Sequence, residues 1–273
     1  MLGDVVGKAG RSAVLQLIPE LRRRWAPDLL IANAENADRG TGLMPKQYRK
    51  LCEAGVDGVT LGDHVYKKIE IVEVLDRESN IIRPANLSAR ARGRRWMQLR
   101  SKAQPQRRPL YVLTVLGRVF APLPADDPFE AIERVLAELP ETPETKPLVL
   151  VEVHAEATSE KQAIARRFDG RVSAVLGTHT HVPTADTCIL PGGTAFQCDL
   201  GMCGPHESII GRDIARVVHH MTTGMPAHFE TASGGPRING VVVDLDEATG
   251  RALHVERIAL DADPSREPFD QPA

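Results

Sequence analysis

Six places in the chain offer side chains able to hold a metal ion: Asp4, the pair Glu35-Asn36, the pair Asp63-His64, His154, His179 and His181. The last two fall in Gly177-Thr178-His179-Thr180-His181, directly after the apolar run 172–176. In extended backbone residues i and i+2 point to the same side, so both imidazoles are expected to face one way and Thr180 the other. A lone HxH is a weak signal, because paired surface histidines are common. Its weight comes from its company, since each of the other places also stands at the end of an expected strand. Carboxylates, a carboxamide and histidines together suit Fe, Mn or Zn, whereas Ca²⁺ would want oxygen throughout and structural zinc would want thiolate. The donors exceed what one ion needs and match two. Two ions ~3.5–4 Å apart clamp a phosphate and acidify a water.

The elements that must carry these residues alternate. Gly3 and Gly7 around Asp4 predict a strand-to-loop turn, with the strand before Asp4 almost absent. A helix is predicted over 11–25, a strand over 28–32 running into the polar loop 33–40, a helix over 45–54 and a strand over 58–61 ending in Gly62-Asp63-His64. A helix over 67–78 and a strand over 80–83 follow, then a strand over 110–116, a helix over 128–139, and an apolar strand over 148–153 that ends at His154. Ser159 is expected to cap a helix reaching Arg167. Hairpins are expected around 191–193 and 248–250, and a helix over 214–223, on which His219 and His220 read as surface residues. Strand-loop-helix alternation argues for a layered α/β fold.

The stretch 88–108 breaks the pattern with eight Lys or Arg residues and one aromatic, Trp96. A flap touching phosphate or RNA is one reading. The thin aromatic interleaving favours the other, a solvated, mobile insertion.

A chain of 273 residues with 42% hydrophobic and 26% charged residues can bury a sizeable core as one domain, here taken as 1–261 with 262–273 as a frayed tail. A net charge of −2 makes no global case for nucleic acid or membrane. Cys52, Cys188, Cys198 and Cys203 are scattered and read as reduced thiols of a cytoplasmic protein. No leader and no apolar run near ~18 residues is found. A GxSxG elbow, a P-loop and a dinucleotide-binding glycine fingerprint are likewise missing, which disfavours serine nucleophiles and nucleotide cradles. An amidohydrolase would open with its HxH, which here comes late.

The stretches Gly3–Gly7, Asn33–Ala37, Gly62-Asp63-His64, Arg83–Asn86, His154–Lys161 (HAEATSEK), Gly177–His181 and Asp199–Met202 resemble the YmdB-like branch of the calcineurin-like metallophosphoesterases, known as 2′,3′-cyclic-nucleotide 2′-phosphodiesterases. The resemblance runs from about residue 1 to 261 and is weakest across 88–108. It implies a four-layer α/β/β/α sandwich with a dinuclear centre, typically iron, with manganese or zinc left open. Carried over, Asp4, Glu35, Asn36 and His181 would hold one ion, and Glu35, Asp63, His154 and His179 the other, with Glu35 bridging. His64 would be the proton donor. The implied reaction takes a small-molecule 2′,3′-cyclic nucleotide to the 3′-nucleotide. A broader phosphodiesterase or phosphatase, or a low-turnover metal-binding regulator, remains an alternative, and homo-oligomerisation is left open.

Two features depart from the family pattern. The family has Asn where this chain has Asp63, an added negative ligand expected to weaken Lewis acidity or shift preference toward Mn or Zn. Family members also start several residues earlier with an apolar strand. The short start here predicts poor ordering of Asp4 and weaker binding at the first metal site.

Overall fold

The computed structural model describes residues 1–121, 123–140 and 146–265. Its first half alternates β1 (Leu2–Val5), α1 (Gly7–Trp25), β2 (Ile31–Asn33), α2 (Pro45–Ala54), β3 (Gly58–Thr60), α3 (Ile71–Arg77) and β4 (Ile81–Ile82). Next come β5 (Trp96–Leu99), β6 (Leu110–Leu116), α4 (Pro128–Glu138), β7 (Leu148–His154), α5 (Thr158–Arg167) and β8 (Ala174–Thr178). The described chain ends with β9 (Cys188–Ile189), β10 (Ala195–Gln197), β11 (Met202–Pro205), α6 (Ile214–Thr223), β12 (Pro236–Leu245) and β13 (Ala252–Asp261).

Two sheets result, one in the order β13-β12-β11-β1-β2-β3-β4 and the other β5-β6-β7-β8-β10-β9. Three apolar cores make the layering plain. Val14, Ile18, Leu51 and Leu75 from the helices pack on Leu2, Val5 and Val59 of the first sheet. Ile132, Val135 and Ile164 pack on Leu113, Val151 and Val175 of the second. Between the sheets lie Ile31, Ile82, Met97, Val112, Leu150, Leu176 and Val241. The layers therefore run helix, sheet, sheet, helix, as the resemblance implied.

Local chemistry sets the helix starts. Pro128 opens α4 while Asp127 accepts from the N–H groups of Phe129 and Glu130, and Asp213 accepts from Arg216 N at the start of α6. Ser159 does not cap α5, whose cap lies two residues earlier, at Ala157, with no side-chain bond. The start of α1 also moves, to Gly7, whose φ of 61° turns the chain sharply after β1 and lets its N–H reach Asn36 O at 2.9 Å.

Two further expectations fail here. The strand carrying Asp4 is formed, not nearly absent. β1 pairs parallel with β2 and with β11, and Leu2 also faces Gly240 of β12. Four residues suffice because the strand sits inside the sheet with a ladder on each side, and Asp4 is wholly buried. The stretch 88–108 is not wholly a solvated insertion either. It contains β5, an edge strand antiparallel to β6 that drives Met97 and Leu99 into the inter-sheet core. Part of its charge is paired at the surface with acids of the same chain: Arg92 pairs with Asp76, Arg95 with Glu138 at 2.7 Å, and Arg107 with Glu247 at 3.3 Å. Of the expected tail, Ala262 is buried and its N–H bonds Pro236 O, while 266–273 lie outside the described residues. Among the described residues no helix is long and apolar enough to cross a membrane.

β1, β2, β3 and β4 run parallel, as do β6, β7, β8 and β10. Parallel strands present their carboxyl ends together, and loops leaving those ends form the crevice where ligands bind. Every candidate metal ligand lies on such an end or in the loop beyond it.

Candidate metal centre

Glu35 leaves β2, Asp63 leaves β3, His154 closes β7 and His179 follows β8. One donor atom from each lies within 4.8 Å of all the others. His154 Nε2 is the hub, 3.0 Å from Asp63 Oδ1, 3.2 Å from Glu35 Oε1 and 3.0 Å from His179 Nδ1. Gly62 makes the approach possible, since a Cβ there would come within 2.3 Å of both Glu35 Oε2 and His154 Nε2.

A second group adjoins the first. Asp4 Oδ2 accepts the backbone N–H of His179 at 3.1 Å, while Oδ1 lies 3.8 Å from His154 Nδ1 and has no hydrogen-bond partner. Asn36 Nδ2 donates to Glu35 Oε1 at 3.1 Å and stands 3.2 Å from His181 Nε2. A carbonyl can only accept, so the 2.9 Å contact between His181 Nδ1 and Ile210 O puts the ring proton on Nδ1 and leaves Nε2 a lone pair. His64 closes the set, its Nδ1 2.7 Å from Asn36 Oδ1 and its backbone N–H bonded to Glu35 Oε2 at 3.0 Å. All eight residues singled out in the sequence thus meet in one region around Glu35.

The backbone that delivers the two late histidines is not the extended strand expected. β8 stops at Thr178, and His179 and His181 take φ of 97° and 67°, a left-handed conformation that costs non-glycine residues about 1–3 kcal/mol each. Their reach comes from a tight loop, not from pleat alternation. Asp199 secures that loop: its Oδ2 accepts from Thr180 N at 3.1 Å and Thr180 Oγ1 at 2.8 Å, and its Oδ1 from Gly201 N at 2.8 Å. Lys161 Nζ, fully buried, reaches the same Oδ2 at 2.7 Å.

Burial and crowding displace the acidities. Burial pushes the Asp4 carboxyl up to about 7, with the neighbouring carboxylates Glu35 and Asp199 adding to it against His154. Burial opposes charge on Glu35 and Asp63 too, but His154 outweighs it for both and holds them below the ordinary carboxylate range. Burial likewise opposes charge on His154 and His64, yet Glu35 foremost raises both above an ordinary histidine. His181 is lowered by burial.

Those residues fit a metal pair. The donors are mixed oxygen and imidazole nitrogen, His181 Nε2 presents a lone pair that faces the Asn36 amide at 3.2 Å, and Asp4 Oδ1 is a buried carboxylate oxygen with nothing to bond. Sequence reasoning assigned no role to the polar residues beneath the donors, Glu152, Thr178, Lys161 and Asp199, although the last three lie in the stretches that carry the resemblance. The signal for Glu152 was there, a carboxylate inside the apolar run Leu148–Val153.

Fold and site together define a calcineurin-type metallophosphoesterase, a metal-dependent hydrolase. The family model described as YmdB-like protein matches residues 1–258, and the chain belongs to that family. It is 40% identical over 262 residues to a 2′,3′-cyclic-nucleotide 2′-phosphodiesterase of Bacillus subtilis (strain 168), covering 96% of each chain. A putative phosphatase/phosphodiesterase of Mycoplasma pneumoniae is 35% identical, covering 97% of this chain and 93% of the other. The crystal structure of a hypothetical protein from Thermus thermophilus superposes with a TM-score of 0.86 at 42% identity, covering 96% of this chain and 98% of that one.

Proposed function

We propose that the chain hydrolyses 2′,3′-cyclic nucleotides to 3′-nucleotides at a centre of two metal ions, iron foremost, with manganese or zinc as alternatives. The observation that carries this reading is the convergence of Glu35, Asp63, His154 and His179 beside the unpaired Asp4 Oδ1. The activity in the name of the Bacillus subtilis relative supports the substrate class. Asp4, Glu35, Asn36 and His181 would hold one ion, and Glu35, Asp63, His154 and His179 the other. Such a pair, when bound, offsets charge on the phosphoryl oxygens and acidifies a water.

His64 supplies the remaining need. Attack of water on phosphorus breaks the bond to the 2′ oxygen, and a ribose alkoxide leaves readily only as it is protonated. Against burial, Glu35 favours the charged form of His64, Asn36 Oδ1 fixes its Nδ1, and the side chain retains 27% exposure, so a ligand can reach it.

Purified protein given Mn²⁺ or Fe²⁺ is expected to convert 2′,3′-cyclic AMP to 3′-AMP. His64→Ala is expected to lose about 10²–10⁴-fold in rate while still binding metal. Release of 2′-AMP instead, or no turnover with two ions bound, would overturn the reading. Equal turnover of simple aryl phosphodiesters would mark a broader phosphodiesterase.

A further inference from the structure

Glu152 lies on β7 two residues before His154, so both side chains point from the second sheet toward the first. Its carboxylate is fully buried and accepts three hydrogen bonds. Thr114 Oγ1 donates to Oε2 at 2.9 Å, while Thr178 Oγ1 and Asn33 Nδ2 donate to Oε1, each at 2.7 Å. Thr114 and Thr178 belong to the strands flanking β7, and Asn33 reaches across from the opposite sheet. Two of these donors continue to the metal centre. Thr178 Oγ1 stands 2.9 Å from His154 Nδ1, and Asn33 Oδ1 accepts the backbone N–H of Glu35 at 3.0 Å.

The proton count along the first path admits one answer. A carboxylate only accepts, so the single hydroxyl proton of Thr178 is committed to Glu152. The Thr178 oxygen must then accept from His154, which places a proton on Nδ1 and turns Nε2, the hub of the ligand cluster, into the donor atom. Asp4 Oδ1 does not compete, being 3.8 Å from that Nδ1.

We propose that Glu152 is a positioning residue for the metal centre, fixing the tautomer and ring orientation of His154 through Thr178 and the backbone of Glu35 through Asn33. The inference rests on the metal-centre reading above and adds to it the carboxylate that orders two of its ligands. Removing such an outer partner lowers metal affinity about 10–100-fold.

Equilibrium titration with Mn²⁺ against a chromophoric chelator tests it. Thr178→Val keeps the shape and removes the hydroxyl, and it is expected to weaken one of two ions about 10–100-fold. Thr178→Ser restores the hydroxyl and is expected to bind as wild type, and Glu152→Gln is expected to fail as Thr178→Val does. Wild-type affinity in Thr178→Val would overturn the proposal, as would a Thr178→Ser variant as weak as Thr178→Val, which would assign the effect to packing of the methyl group. A wild-type chain taking up no Mn²⁺ would overturn the metal centre and the relay together, whereas two ions bound with equal affinity in wild type and Thr178→Val would overturn the relay alone.

Discussion

Asp4 Oδ2 accepts the backbone N–H of His179 at 3.1 Å, joining β1 of one sheet to the loop that leaves β8 of the other. One oxygen of the carboxylate is thereby used to hold the loop, and the second stays unpaired beside His154. Asp4→Asn keeps an oxygen for only one of these tasks. The variant is expected to keep the ion held by Glu35, Asp63, His154 and His179 and to lose the other. Metal content after desalting should fall from two equivalents to one, and two retained equivalents would contradict this.

The shifted acidities give the metal-free protein a defined response to pH. Asp4, raised to about 7, together with His154 and His64, also raised, binds more protons folded than unfolded near neutrality. The stability they contribute is complete below the unfolded values and is lost as pH rises through the folded ones. The buried Met1 amine, lowered to about 5, and His181, also lowered, act the other way, but the three raised groups outweigh them, so the chelator-treated protein should melt at lower temperature at about pH 8 than at about pH 6.5. Metal uptake should run the other way, tightening with pH and releasing protons, because Asp4 and His154 must shed theirs. Calorimetry in buffers of different ionisation enthalpy reads the released protons directly.

The Lys161–Asp199 pair is buried on both sides, and Asp199 also holds Thr180 between the two histidines. Lys161→Met strands a buried carboxylate. The expected loss is about 3–5 kcal/mol of stability, measured by urea unfolding, and weaker metal binding should accompany it as the loop loosens. A loss below about 1 kcal/mol would show that Asp199 finds other compensation.

Gly62 stands where any side chain would strike Glu35 and His154. Gly62→Ala is expected to cost about 1–3 kcal/mol by overpacking and to reduce metal affinity more than about tenfold. Circular dichroism and metal titration of the same sample separate the two effects.

The residues that converge in the candidate centre were legible in the sequence because residue type and strand-end position coincide at Asp4, Glu35, Asp63 and His154. The layered fold was legible through the alternation of apolar runs and amphipathic stretches. What escaped has physical reasons. Met202–Pro205 forms β11 although Gly and Pro weaken any strand signal, because its place between β1 and β12 overrides propensity. β5 was masked by the arginines around it, two of which, Arg95 and Arg107, pair with acidic residues distant in sequence. The loop holding His179 and His181 depends on Asp199, and the role of Glu152 on Asn33, contacts that exist only once the sheets face each other.

Anomalous diffraction from crystals grown with Mn²⁺ would locate a pair of ions among these residues without reference to turnover. Two peaks are expected, one bounded by Glu35, Asp63, His154 and His179, the other by Asp4, Asn36 and His181 with Glu35 between them. A single peak, or none at this site in protein that turns over substrate, would contradict this.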